Sequence, residues 1–132
     1  MTLDISDTVR NAMLDQIEST IGTSAVLKIR SGAAPGIGSA DSGTVLANMT
    51  LPSDWMAAAA SGSKALSGSW QDASADADGT AGHFRIYASD GTTQHIEGSC
   101  GDVGTEDLVL DNASISTGQQ VTVTAFTLTA GN

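Results

Sequence analysis

Two hydrophobic periods divide the chain. From Asp7 to Ile21 apolar residues recur every fourth position, at Val9, Met13, Ile17 and Ile21, with Ala12 and Leu14 widening the stripe. That spacing predicts an amphipathic α-helix. Ser6 stands at the N-cap position, Asp7 lies where the helix dipole favours a negative charge, and Gly22 follows as a C-terminal stop. The stripe is expected to cover part of the domain's own core, with a partner-binding helix as the alternative.

After Gly22 the period changes to two and stays there. Strands are expected at Ala25 to Arg30, Thr44 to Leu51, Lys64 to Gln71, His83 to Ser89, Thr93 to Gly98, Asp107 to Asp111 and Gln119 to Ala130, separated by Gly, Ser, Asp and Asn. Short strands at this spacing point to an all-β fold, an antiparallel β-sandwich of about seven strands. The expected organisation is one domain over 1–132, with residues 1–22 forming an N-terminal segment and helix and 23–132 the sandwich. Trp55 to Gly62, WMAAAASG, is ambiguous, since its alanines permit one or two helical turns.

Two details of register are readable. Phe84, Ile86 and Ala88 share one face, and His83, Arg85 and Tyr87 the other. A three-residue loop Ser89-Asp90-Gly91, with Gly91 left-handed, pairs Phe84 with Ile96, Arg85 with His95 and His83 with Glu97, and keeps Ile96 on the apolar face. In the last strand Val121, Val123 and Ala125 lie on one parity, and Phe126, Leu128 and Ala130 on the other. This phase break predicts a bulge near Ala125-Phe126 or a strand that changes sheets.

Composition narrows the function. A net charge of −10 with only five basic residues argues against nucleic acid, whose phosphates require clustered Lys and Arg. Cys100 is the single cysteine, in an expected turn, so no intrachain disulfide or cysteine-based zinc site is expected. No apolar run approaches the ~20 residues that span a bilayer. The start MTLDISDTVR lacks the basic and apolar regions of a signal peptide, and assembly in the cytoplasm is expected.

Candidate chemistry is sparse. Asp76-x-Asp78-Gly79 begins like a calcium loop, but in that register the first and twelfth ligand positions fall on Ser74 and Arg85. A cation cannot replace the bidentate carboxylate, so a polar loop feeding a strand is expected. His83, His95 and Glu97 on one hairpin face are read as surface pairing rather than a zinc site, because Arg85 lies among them. Ser61-Gly62-Ser63-Lys64 matches S-x-x-K without its companion triplets. Gly36-Ile37-Gly38 lacks the third glycine and following helix of a dinucleotide loop, and reads as a flexible loop after Pro35. No catalytic, cofactor or metal residues are assigned. For carbohydrate the rings available are Trp55, Trp70 and Tyr87; Trp70 reads as core and Trp55 as an exposed loop contact, and one ring is not a platform.

The segments ISDTVRNAMLDQIES, LKIRSGAAPG, GTVLANMTL, DASADADGTAGHFRIYASDGT and DLVLDNASISTGQQVTVTAFTLTAGN resemble, in order and nearly end to end, small virion structural proteins of tailed bacteriophages. The resemblance implies a non-enzymatic virion protein. Its first form is a capsid decoration or cement subunit on the capsid exterior that binds and stabilises the major capsid protein, self-associating as a homo-oligomer, most naturally a trimer, and needing neither nucleic acid nor membrane. The contacts expected are Leu3, Ile5, Val9 and Met13 of the N-terminal segment, and Trp55. The alternatives are a tail component (tube, tip or receptor-binding subunit) reaching outward through Ala33 to Ser42 and Trp55, and a carbohydrate-binding module.

Overall fold

The computed structural model describes residues 3–131. Helix α1 covers Asp7–Ile21, the span predicted. Ser6 caps it by accepting from the Val9 amide (3.4 Å), and Gly22, at φ +94°, ends it by donating to Glu18 O.

The strands are β1 (Val26–Ser31), β2 (Val45–Thr50), β3 (Ser63–Ala65), β4 (Gln71–Asp72), β5 (Gly79–Tyr87), β6 (Gln94–Gly101), β7 (Leu108–Leu110), β8 (Ser114–Ile115) and β9 (Val121–Thr129). They form one sheet in the order β2-β1-β5-β6-β7-β9-β3, with β4 on β9 and β8 on β5. The all-β reading with one N-terminal helix stands, but the sheet is mixed and curls into a half-barrel instead of forming an antiparallel sandwich. The departure lies at β6 and β7, which run parallel over Cys100↔Leu108 and Gly101↔Val109. The expected single strand from Lys64 to Gln71 splits in two. Gly68, at φ +74°, breaks the extended run, and β3 and β4 pair with successive parts of β9. The outer edge of β2 is covered by 72–76, where Asp76 N donates to Leu46 O (2.8 Å) and Asn48 N to Asp72 Oδ2 (3.0 Å). That covering removes an open template for another strand.

The inside of the curl is the core. Leu27, Ile29, Phe84, Ile86, Leu108, Val121 and Val123 are buried there. A row of rings crosses it: Trp55 to Trp70 at 5.9 Å, Trp70 to Phe126 at 5.4 Å, and Phe126 edge-on to Phe84 at 5.6 Å. Trp70 is in the core as expected. Trp55 is not an exposed contact: it is fully buried, and its indole N–H donates to Gly22 O (3.0 Å). A ring of that size contributes most when its apolar area is covered and its one donor is satisfied, and here both occur while the helix end is pinned to the core.

The hairpin register is also corrected. Ile86 pairs with Ile96, Arg85 with Glu97, Phe84 with Gly98 and His83 with Ser99, two residues from the expected pairing, so each side chain keeps its predicted face. The shift arises because the loop is longer. Ala88 N donates to Thr93 O, the Asp90 carboxylate accepts from the Thr92 and Thr93 amides, and a bulge follows beside Tyr87. Gly91 is left-handed as predicted, at φ +70°. The phase break in β9 is a bulge against β7, where Leu108 pairs with Phe126 and Val109 with Ala125 but Leu110 with Val123, leaving Thr124 as the extra residue. Cys100 lies in β6 and is buried, not in a turn.

Candidate functional site

Two surfaces combine residues from distant parts of the chain. On the outer face of β1, β5 and β6, the loop 32–43 folds down as a strap. The face that sequence alternation marked as polar and solvated is therefore buried, with His83, Arg85 and Tyr87 fully covered. Arg85 donates to Glu97 Oε2 (2.7 Å), Asp41 Oδ1 (2.6 Å), Gly36 O (2.8 Å) and Ser39 O (3.1 Å). Tyr87 donates its hydroxyl proton to Asp41 Oδ1 (2.8 Å), and Arg30 Nη2 donates to Asp41 Oδ2 (3.1 Å). The strap's own amides reach back, Gly36 N to Glu97 Oε1 (2.9 Å) and Gly38 N to Gln94 Oε1 (3.1 Å).

Buried cations require this degree of satisfaction, because an unpaired one costs several kcal/mol. Burial opposes ionisation of Asp41, but the hydrogen bonds from Tyr87 and Arg85 and the charges of Arg30 and Arg85 outweigh it and hold the carboxyl below its ordinary range. The loop read as flexible is thus tied down at both flanks and its centre. His83 and Glu97 do not pair: His83 Nδ1 meets Gly32 O at 2.9 Å, and His95 lies apart, against the helix.

The second surface is α1. It docks with one side of the predicted stripe, through Leu14, Ile21 and the partly buried Ile17, while Val9 and Met13 lie outside the contact. Leu14 and Ile21 are buried, Arg10 Nε donates to Ala130 O (2.8 Å), and Asn11 Oδ1 accepts from Gly62 N (2.9 Å). Lys64, 2% exposed, bonds Asp15 Oδ1 (2.7 Å) and Glu18 Oε2 (2.9 Å). The side of the helix that meets Lys64 thus carries the half-exposed Asp15 and the largely covered Glu18, and half of the apolar stripe faces outward. Val9 and Met13 are 50% and 51% exposed, and Leu3 ahead of the helix is 80% exposed; Ile5 is half-buried. Beside them a shallow groove of about 210 Å³ runs between the helix, at Met13, Gln16, Ile17, Thr20 and Ile21, and His95. Of the five contacts expected from sequence, Leu3, Val9 and Met13 are exposed, Ile5 is half-buried and Trp55 lies in the core.

Charge is partitioned sharply. All five cations are engaged internally: Arg10 with Asp7, Arg30 with Asp41, Lys64 with Asp15 and Glu18, Arg85 with Asp41 and Glu97, and Lys28 with Gly91 O and the Tyr87 ring. Of the fifteen acidic residues, five meet those cations and ten have no cationic partner among the described residues.

Sequence reasoning did not find Asp41, Glu97 or Lys64 as organising residues. The one available signal was that a chain with five cations placed Lys28, Arg30 and Arg85 at alternate positions of adjoining strands. Compared with known protein families, curated proteins and solved structures, the chain matches none of them.

Proposed function

We propose that the chain is a non-enzymatic structural protein of a tailed-bacteriophage virion, a decoration subunit that binds the major capsid protein from the capsid exterior and stabilises the shell. The observation that carries this reading is the half-exposed apolar flank of α1, with Leu3, Val9 and Met13 outward on a helix that Lys64, Arg10 and Trp55 fix to a rigid body. Apolar side chains held at fixed positions on a stable frame suit a contact repeated over many copies. The uncompensated acidity suits a protein that stays off the packaged genome. With it we propose self-association, as a trimer at a threefold seam.

The burial of Trp55, Trp70 and Tyr87 removes the stacking rings a carbohydrate-binding module would use. The tail alternative loses Trp55 as a reaching tip, although Ile37 in the strap remains 54% exposed. Copy number in purified particles, measured by quantitative mass spectrometry against the major capsid protein, tests the proposal. Hundreds of copies, located on the shell by electron microscopy, are expected. A handful of copies, or density along the tail, would move the protein to the tail, and absence from particles would end the virion reading.

A further inference from the structure

Beneath the strap, two buried nitrogens find no partner among the described residues: Arg30 Nε and His83 Nε2. Both belong to side chains that are otherwise engaged. Arg30, 7% exposed, directs Nη2 to Asp41 Oδ2 (3.1 Å) and to the Tyr87 hydroxyl oxygen (3.4 Å). His83, fully buried, places Nδ1 2.9 Å from Gly32 O. The two residues oppose each other directly in the ladder between β1 and β5, which sets their Cβ atoms about 4.5–5.5 Å apart on one face of the sheet.

The two atoms have opposite and fixed polarity. A carbonyl oxygen only accepts, so the contact with Gly32 O puts a proton on His83 Nδ1. In the neutral ring Nε2 is then an acceptor, with its lone pair buried. Arg30 Nε–H can only donate. Each group has given up its bonds to bulk solvent, and burial without a replacement is unfavourable.

Whatever satisfies both must accept a hydrogen bond on one side and donate one on the other. A metal ion would face the Arg30 charge and offer His83 no proton, and chloride could accept from Nε but has nothing to donate to Nε2. Both nitrogens are sealed from solvent, which favours the smallest molecule with the two functions.

We propose that a single water molecule is a fixed part of this structure, accepting from Arg30 Nε–H and donating to His83 Nε2. It completes a relay from the root of the strap to its centre, running from Gly32 O through His83, the water and Arg30 to Asp41. The strap covers the molecule, so its exchange with bulk solvent requires the strap to lift, and its residence time reports that motion. The inference is independent of where the protein sits in a particle.

The test uses the full chain, labelled with nitrogen-15, at pH 7.5. There are two histidines, and His95→Gln identifies the His83 signals. Long-range proton–nitrogen spectra are expected to show the His83 proton on Nδ1 and none on Nε2, and the ring protons beside Nε2 are expected to give dipolar cross-peaks to water with the sign of a bound molecule. Deuteron relaxation dispersion of the solvent is expected to lose one long-lived water in Arg30→Lys, which keeps a cation for Asp41 and removes Nε, and in His83→Phe, which keeps a ring and removes the acceptor. Glu97→Gln, which removes the carboxylate that holds Gly36 N, is expected to shorten the residence time of that water.

The wild-type spectra decide the proposal even if a variant fails to fold. A proton on Nε2, a scalar coupling across a direct Arg30 Nε–H to His83 Nε2 hydrogen bond, or His83 shifts that track chloride concentration would each overturn it. So would the lack of any cross-peak from the His83 ring to water, or a long-lived water count unchanged in both folded variants.

Discussion

Arg85 Nη1 lies 2.6 Å from Asp41 Oδ1 across 44 residues of chain, and the pair fastens the strap to a guanidinium with no exposed surface. Glu97, 9% exposed, holds the other side of the same guanidinium. Arg85→Ala leaves Glu97 buried without its cation, and a loss of about 3–5 kcal/mol is expected in urea unfolding. Arg85→Met, which refills the volume but not the charge, should be less damaging than a cavity plus an orphaned carboxylate. Equal melting of wild type and Arg85→Ala would show that the network does not hold the fold.

Glu97→Gln weakens the strap and the Arg85 ion pair together. Glu97 Oε1 accepts from the Gly36 amide, so hydrogen exchange at Gly36 should accelerate in the variant while amides in the middle of β5 stay protected. Unchanged exchange at Gly36 would mean that the strap is held from elsewhere.

The pH profile of stability should be a dome. Four carboxylates are held below their ordinary range. Asp15 is held by the hydrogen bond from Lys64 and then the Ala59 amide, Asp78 by the Thr117 amide, Asp90 by the Thr93 hydroxyl and amide, and Asp41 by Tyr87 and Arg85 against the opposing effect of burial. For each the unfolded chain binds the proton more readily, so its contribution is present above the unfolded value of 3.8 and is lost as pH falls through the folded value.

At the other end, burial works against the Lys64 charge, but its bonds to Asp15 and Glu18 outweigh that and raise its pKa. Burial and then the bond to Asp41 raise that of Tyr87. Both contributions are present below the unfolded values, 10.5 and 10.0, and are lost as pH rises through the folded ones. Urea midpoints between pH 2 and 11 should therefore be level near neutrality and fall below about pH 4 and above about pH 10. A midpoint that rises on acidification below pH 4 would show that these carboxylates do not stabilise the fold in their ionised form.

Gly82 lies where a side chain has no room, because a Cβ there would stand 2.2 Å from the Gly32 carbonyl oxygen, a backbone atom. Gly82→Ala is expected to cost about 2–3 kcal/mol by overpacking. Gly104→Ala, with nothing within 4 Å of its Cβ, is the matched control and should melt within 0.5 kcal/mol or so of wild type.

Cys100 should be inert in the native state. Burial, and then the charge of Glu106, push its thiol up to about 12, and the thiolate is the reactive form. A thiol reagent at pH 8 should react on the timescale of global unfolding and promptly in urea. Rapid labelling without denaturant would show that β6 opens locally.

The sequence by itself determined what depends on neighbours in the chain. Helix α1 could be bounded to the residue because its cap, first-turn acid and terminal glycine lie within sixteen residues of one another. Side-chain alternation placed Phe84, Ile86 and Ile96 on one face, and it located the break in β9 to within two residues. These follow from the 3.6 and 2.0 periods and from local capping.

What only the tertiary structure decided is where each face points and what covers it. The alternation that marks Arg85 and Tyr87 as polar carries no information about a strap arriving from Asp41. The apolar stripe of α1 could not show that Lys64 would pair with Asp15 and Glu18 and leave Val9 and Met13 outward. Trp55 in a polar loop gave no sign that Gly22 O would accept its N–H. In each case a charge or polar group that cannot be buried unpaired selected the packing, and its partner lay more than thirty residues away.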